Sequence, residues 1–157
     1  MHFVEGKPWP TVTDTQILGF FREYRFLSNF WQAPVEVDGV TYASSEHAYM
    51  AQKTNVPEEK AHLATSITSA EARAYGQKVT LRPDWDDVRI DMMHKVVLAK
   101  FSQNPSLKAK LLATGGKYLE ETGYWGDTFW GVCKGVGENH LGNILMKVRN
   151  ELKNQGH

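Results

Sequence analysis

The chain has 157 residues, 41% hydrophobic and 23% charged, with eighteen basic residues against eighteen acidic ones. That neutral balance gives no electrostatic basis for a nucleic-acid coat or a membrane-surface protein, although a local basic pocket stays open. The single cysteine, Cys133, excludes an internal disulfide and any cysteine-cluster zinc site. One domain over residues 1–157 is expected, long enough to bury its own core. Residues 1–8 hold no apolar run of signal-peptide length and no segment approaches a membrane span, so a cytoplasmic protein is expected.

In chain order, the apolar run over residues 16–21 reads as a strand. Val35-Glu36-Val37 and Val40-Thr41-Tyr42 flank Asp38-Gly39, a hairpin signal because both turn positions need positive φ. Residues 42–53 then predict a short helix that Ser44 or Ser45 can cap. Glu46 and Lys53 on it are seven residues apart, close to two full turns. Their side chains therefore leave in nearly the same direction, from backbones about 10 Å apart along the axis. A carboxylate and an amine over one pocket suit acid/base or covalent chemistry at a sugar carbon. The plainer reading has Glu46 complementing the helix dipole and Lys53 solvated.

Thr68-Ser69-Ala70-Glu71 is a capping box opening a helix that Gly76 would close. A long helix follows Asp84 and runs to about Gln103. Val88, Met92, Val96 and Ala99, with Ile90, Met93, Val97 and Phe101, give it a wide apolar face. Asn104-Pro105 starts another, with Leu107, Leu111 and Leu112 inward and Gly115-Gly116 at its end. The last helix starts near Asn139 and carries Leu141, Leu145, Val148 and Leu152 on one stripe. A few short, mostly early strands and more helix than sheet predict a single helix-rich α+β domain with a small, mainly antiparallel sheet.

The stretch Tyr124-Trp125-Gly126-Asp127-Thr128-Phe129-Trp130-Gly131-Val132-Cys133-Lys134-Gly135-Val136-Gly137-Glu138-Asn139 is rich in glycine and aromatics, a composition costly to order unless it shapes a site. Gly135 and Gly137 before a helix start could present backbone N–H groups to a phosphate, with Lys134 adding charge; a plain turn is the alternative. Asp127 beside Trp130 could be a proton donor held against an indole, or could cap a turn through its own backbone. Trp31, Trp85 and Trp130 all lie in polar settings and could stack on a planar base, although Trp85 at a helix start also fits a core position. Arg82, one residue before Pro83, could grip phosphate from an extended segment or pair with Asp84 or Asp86. His47, His62, His94 and His140 show no ligand spacing, so no metal is expected.

Together these motifs resemble the NADAR or YbiA-like domain family over about residues 19–152. The resemblance rests on Phe26-Leu27-Ser28-Asn29-Phe30, Asp38-Gly39, Ser45-Glu46-His47 and Ala51-Gln52-Lys53. It continues through Leu81-Arg82-Pro83-Asp84-Trp85-Asp86, Lys100-Phe101, Leu112-Ala113-Thr114 and Asp127-Thr128-Phe129-Trp130-Gly131. It closes on Gly137-Glu138-Asn139-His140-Leu141-Gly142-Asn143-Ile144-Leu145-Met146-Lys147-Val148-Arg149. Cys133 departs from the glycine many members have there.

The resemblance implies a compact α+β domain that cleaves an N-glycosidic bond without a cofactor. It implies as substrates either phosphorylated ribosylamino-pyrimidine intermediates of riboflavin biosynthesis or guanine bases carrying ADP-ribose, the latter in nucleic acid. By motif position it implies Glu46, Lys53 and Asp127 as the catalytic set, with Trp85 and Trp130 lining the base or ribose pocket. Asn29, Phe30, Arg82, Gly131, Lys134, Gly137 and Asn139 complete the expected substrate-binding residues. A non-catalytic module binding ADP-ribose or NAD is the competing function, and retention of all three of Glu46, Lys53 and Asp127 argues for the enzyme.

Overall fold

The computed structural model describes residues 3–4, 7–123 and 126–155. Tyr124 and Trp125 of the aromatic loop lie outside the described residues, as do Met1, His2, Glu5 and Gly6 from the segment read for a signal peptide. In chain order the elements are β1 (Phe3–Val4), β2 (Lys7–Pro8), β3 (Thr11–Val12), β4 (Gln16–Leu18), a 3-10 helix (Arg22–Leu27), β5 (Gln32–Val37), β6 (Val40–Ser44), α1 (Ser45–Gln52), α2 (Pro57–Leu63), α3 (Ser69–Gly76), α4 (Trp85–Gln103), α5 (Pro105–Ala113), β7 (Tyr118–Glu120), β8 (Thr122–Gly123), β9 (Val132–Cys133) and α6 (His140–Gln155). They fall into two units, residues 29–108 and residues 1–28 with 109–157; the division cuts α5.

In the unit 29–108, Asp38 and Gly39 take φ of 52° and 84°, as the turn predicted from their sequence requires. That turn pairs β5 with β6 antiparallel, Val37 opposite Val40 and Val35 opposite Tyr42. Alternation buries Ala33, Val35 and Val37 on one face. Along the outer edge of β5, Glu36 N donates to Gln103 Oε1 (2.7 Å), Gln103 Nε2 donates to Glu36 O (2.9 Å), and Asn104 Nδ2 donates to Pro34 O (2.9 Å).

Ser44 ends β6 and caps α1, its hydroxyl accepting from His47 N at 3.2 Å. All eight residues of α1 are buried, because the helix packs on the hairpin, α2, α3 and α4. Two contacts fix its rotation: the Tyr49 ring lies 5.3 Å from that of Trp85 in α4, and Met50 meets Gly76 of α3. The α3 helix ends at Gly76, where the sequence predicts, but for a different reason. Gln77 is the C-cap, and a Cβ at Gly76 would run into the Met50 side chain from Cβ to sulfur. Gly76→Ala is therefore expected to cost about 1–3 kcal/mol by overpacking, read as a lower midpoint in urea with the denaturant slope unchanged.

The capping box forms in both directions: Glu71 N donates to Thr68 Oγ1 (3.0 Å) and Thr68 N donates to Glu71 Oε1 (2.8 Å). The long helix α4 has the predicted span and buries Trp85, Met93, Val96, Val97 and Phe101. Its face departs from the apolar pattern at two places. Ile90 is exposed, and Lys100 is wholly buried.

In the other unit, β3 pairs antiparallel with β4, and β4 pairs parallel with β7, Ile17 opposite Leu119. The strand read over residues 16–21 spans only the first three, since Gly19 (φ 96°) and Arg22 (φ 57°) turn the chain into the 3-10 helix. With the parallel pair β8–β9, the strands among the described residues form four small sheets of mixed direction. The α6 helix buries the predicted stripe of Leu141, Leu145, Val148 and Leu152 together with Ile144, and packs on β7. Gly142 makes that approach possible, because a Cβ there would meet the Leu119 carbonyl oxygen. Among the described residues no helix is long and apolar enough to cross a membrane.

Candidate active site

Glu46 stands in the first turn of α1 with only 8% of its surface exposed. Its N–H donates to the Asn29 carbonyl (3.0 Å), and Ser45 Oγ donates to Asn29 Oδ1 (2.9 Å). Asn29 is itself buried and points its amide nitrogen at Met93 sulfur (3.3 Å), so a predicted substrate-binding residue also fixes the start of the helix. At 100° per residue, Glu46 and Lys53 project between Tyr49, packed on Trp85, and Met50, packed on Gly76.

Lys53 is the C-cap of α1 and is half-buried. Burial pushes its ammonium below the ordinary lysine value of 10.5, and the Glu46 carboxylate partly opposes that shift. The acid and the amine thus feel one another across two turns. The Lys53 carbonyl accepts from Arg82 N (2.8 Å), and a bridge between Thr54 and Leu81 extends this pairing.

Arg82 grips Asp84 with both ends of its fork, Nε to Oδ1 at 2.7 Å and Nη2 to Oδ2 at 3.1 Å, while Nη1 donates to the Gln52 carbonyl at 3.4 Å. Lys60 Nζ donates to the Ala51 carbonyl at 2.7 Å. Two cations therefore satisfy the last carbonyls of α1 and complement its negative end. Trp85 is 6% exposed and lies tilted on Tyr49, a core placement. Phe30 and Trp31 are half-buried, and the Phe30 carbonyl accepts from Ser69 Oγ at 3.0 Å.

In the other unit, Asp127 Oδ1 accepts from Phe129 N (3.1 Å) and Trp130 N (2.9 Å). One carboxylate oxygen thus caps the turn, and the second is not committed to it. Phe129 packs edge-on to Trp130 (4.8 Å) and tilted on His140 (4.5 Å). Lys134 and Gly135, with φ of 53° and 77°, are the two tip residues of a tight turn closed by Cys133 N donating to Val136 O and Val136 N donating to Cys133 O. Lys134 is exposed there.

A Cβ on Gly137 would meet the Gly131 carbonyl, and one on Gly131 the Glu121 carbonyl, so both glycines are required by close backbone approach. Asn139, buried at φ 52°, accepts from Glu121 N (3.0 Å) and donates to the Leu119 carbonyl (3.0 Å) and Tyr118 Oη (3.2 Å). The N–H groups of His140 and Leu141 at the start of α6 donate to the Phe129 and Trp130 carbonyls. Gly131, Gly137 and Asn139 thus frame the loop that presents Asp127 and Trp130.

The histidines are dispersed: His62 stacks on Tyr75, His140 faces Glu138 at 3.3 Å, and His47 lies in the core beside Glu46. Among the described residues no three His, Cys, Asp or Glu side chains gather as a metal site. Two polar residues named among the motifs, Lys100 and His47, are wholly buried, which their local sequence does not foretell. Lys100 sits seven residues after Met93 on the buried face of α4, with Nζ 5.0 Å from the Phe101 ring centroid. His47 is held on Ser44 and the Ile67 carbonyl.

The small mixed sheets and six α-helices make this a helix-rich α+β protein among the described residues. The chain belongs to the NADAR domain family: the NADAR domain profile matches residues 17–153. It is 36% identical over 151 residues to the N-glycosidase YbiA of Escherichia coli, covering 90% of this chain and 91% of that protein. It is 41% identical over 135 residues to a riboflavin biosynthesis protein of Vibrio vulnificus, covering 82% of this chain and 35% of that protein. The chain therefore spans about a third of the Vibrio relative's length. The NMR structure of E. coli YbiA matches with a TM-score of 0.82 at 33% identity, over 94% of this chain and 91% of that one.

Proposed function

We propose that this chain is a cytoplasmic N-glycosidase, acting as one domain over residues 1–157, that hydrolyses the C1′–N bond of a phosphorylated N-riboside. The observation that carries this reading is the Glu46–Lys53 pair, a nearly buried carboxylate and a half-buried amine that act on one another electrostatically. The N-glycosidase name of the YbiA relatives supports the bond class, and the riboflavin name of the Vibrio relative supports a ribosylamino-pyrimidine phosphate.

Breaking the C1′–N bond builds positive charge on the ribose ring. Glu46 stabilises that charge or activates the water that adds to C1′, and Lys53 as ammonium holds Glu46 ionised. As a free amine, Lys53 instead adds to C1′ of the ring-opened sugar. The departing nitrogen then leaves with a proton, and water releases the sugar from the lysine. Asp127, by its motif position, gives the leaving nitrogen that proton. Phe30 and Trp130 supply ring surface for the heterocycle or ribose and Lys134 supplies charge for phosphate, while Trp85, packed on Tyr49, and Arg82, bonded to Asp84, support the helix of Glu46 and Lys53 from behind.

The test is incubation with a ribosylamino-pyrimidine 5′-phosphate and, separately, with DNA carrying ADP-ribosylated guanine, with products read by mass. Ribose 5-phosphate release assigns the first substrate group and ADP-ribose release the second. Release of neither, with ADP-ribose or NAD bound unchanged, would replace this reading with the non-catalytic binding module. Because the proposed acid, amine and second carboxylate act without an ion, turnover is expected to survive exhaustive EDTA treatment. Activity lost on chelation and restored by one divalent ion would overturn that expectation.

A further inference from the structure

His47 is wholly buried next to Glu46, and none of the chemistry above uses it. Its Nε2 lies 2.7 Å from the Ile67 carbonyl oxygen, which can only accept, so Nε2 carries a proton. Its Nδ1 lies 2.6 Å from Ser44 Oγ; in that tautomer it is the bare nitrogen and takes the hydroxyl proton. The same Ser44 oxygen accepts from His47 N at 3.2 Å and lies 3.2 Å from Ser69 Oγ at the start of α3. One imidazole thereby joins the end of β6, the first turn of α1 and the segment leading into α3.

On the other side of Glu46, Ser45 Oγ and Glu46 N both donate to Asn29. Each neighbour of Glu46 is thus bonded through its side chain to a part of this unit outside α1. An isolated helix of eight residues would be marginal and would fray at its first turn, whereas a reacting group has to be held within about 0.5 Å. We infer that His47 is the positioning residue of Glu46: it acts through the first turn of α1 by bolting that turn to Ile67 and Ser44, and it does not touch the substrate. This rests on Glu46 being the reacting carboxylate.

Two variants separate the bonds. His47→Asn keeps a polar group near Nδ1 but cannot reach Ile67; His47→Gln restores a donor to Ile67. With whichever substrate the wild type cleaves, His47→Asn is expected to lower kcat on the order of 10²-fold with KM within about twofold, and His47→Gln to recover most of it. The double variant Glu46→Gln/His47→Asn should be no slower than Glu46→Gln alone, since a positioning residue has nothing left to position. Independently of any substrate, amide hydrogen exchange at Glu46 and His47 should accelerate in His47→Asn while α4 stays protected. Nitrogen NMR of the wild type should find Nε2 protonated.

Unchanged exchange in folded His47→Asn, a double variant slower than Glu46→Gln, or a bare Nε2 would each overturn the inference. Normal turnover by Glu46→Gln would instead sink the assignment of Glu46, a different outcome read from a different protein.

Discussion

Glu46→Gln is expected to lower kcat on the order of 10³-fold or more, with little change in substrate affinity and an intact fold. The substitution keeps the shape of the side chain and removes its charge. The backbone bond from Glu46 N to the Asn29 carbonyl and the Ser44 cap involve no carboxylate oxygen, so the helix start should survive. What disappears is the anion that opposes positive charge on the ribose ring, an interaction strongest in the transition state. Single-turnover kinetics on the folded variant, with circular dichroism as the control, decide the matter. If turnover stays near normal, Glu46 serves only the helix dipole, and the variant should then show no more than about 0.3–1 kcal/mol of lost stability.

Lys53 is expected to form a Schiff base with C1′ of the sugar, because hydrolysis of the conventional kind would need only two carboxylates. Borohydride added during turnover should reduce that iminium to a secondary amine and leave a mass adduct on the peptide containing Lys53. The pH profile carries a sign as well. Burial lowers the Lys53 pKa from 10.5, so the free amine becomes available at a lower pH than for a solvated lysine. A nucleophilic amine makes the rate climb as pH rises through that titration. A charge partner makes it fall there, because the ammonium that supports Glu46 is lost. Absence of an adduct, together with an active Lys53→Arg variant, would reverse the assignment.

The parts of the fold that could be read from the chain are those in which neighbours in sequence decide the geometry. Asp38-Gly39 specifies its turn because both residues tolerate positive φ, and Thr68 with Glu71 specifies a helix start through two reciprocal bonds. The spans of α4 and α6 follow from long apolar periods. By contrast, α2 buries only Leu63 and has no period to detect, although Pro57 at its start is a helix signal. The parallel register of β4 with β7 joins residues a hundred positions apart, which no local pattern encodes. Lys100 took a place that the apolar face of α4 would give to leucine or valine.

The candidate site divides along the same line. The direction shared by Glu46 and Lys53 follows from helical spacing alone. The surroundings of each did not, because they come from Asn29 at Glu46 and Arg82 at Lys53, both distant in sequence. For Asp127 the local turn reading describes one oxygen, and for Arg82 the pair with Asp84 describes most of the guanidinium. Short-range bonds of this kind can be foreseen from neighbouring residues even where the chemistry they frame cannot.

The outer edge of β5 bears on how copies of this chain behave in one another's company. A strand edge normally leaves a row of N–H and C=O groups to which a strand of another molecule can add, the first step of sheet-driven aggregation. Here the Gln103 carboxamide satisfies Glu36 as a neighbouring peptide unit would, Asn104 occupies the Pro34 carbonyl, and Pro34 has no N–H to offer. The hairpin that carries the helix of Glu46 and Lys53 is terminated on that side by side chains, and along these positions it offers no template on which a fibril could grow.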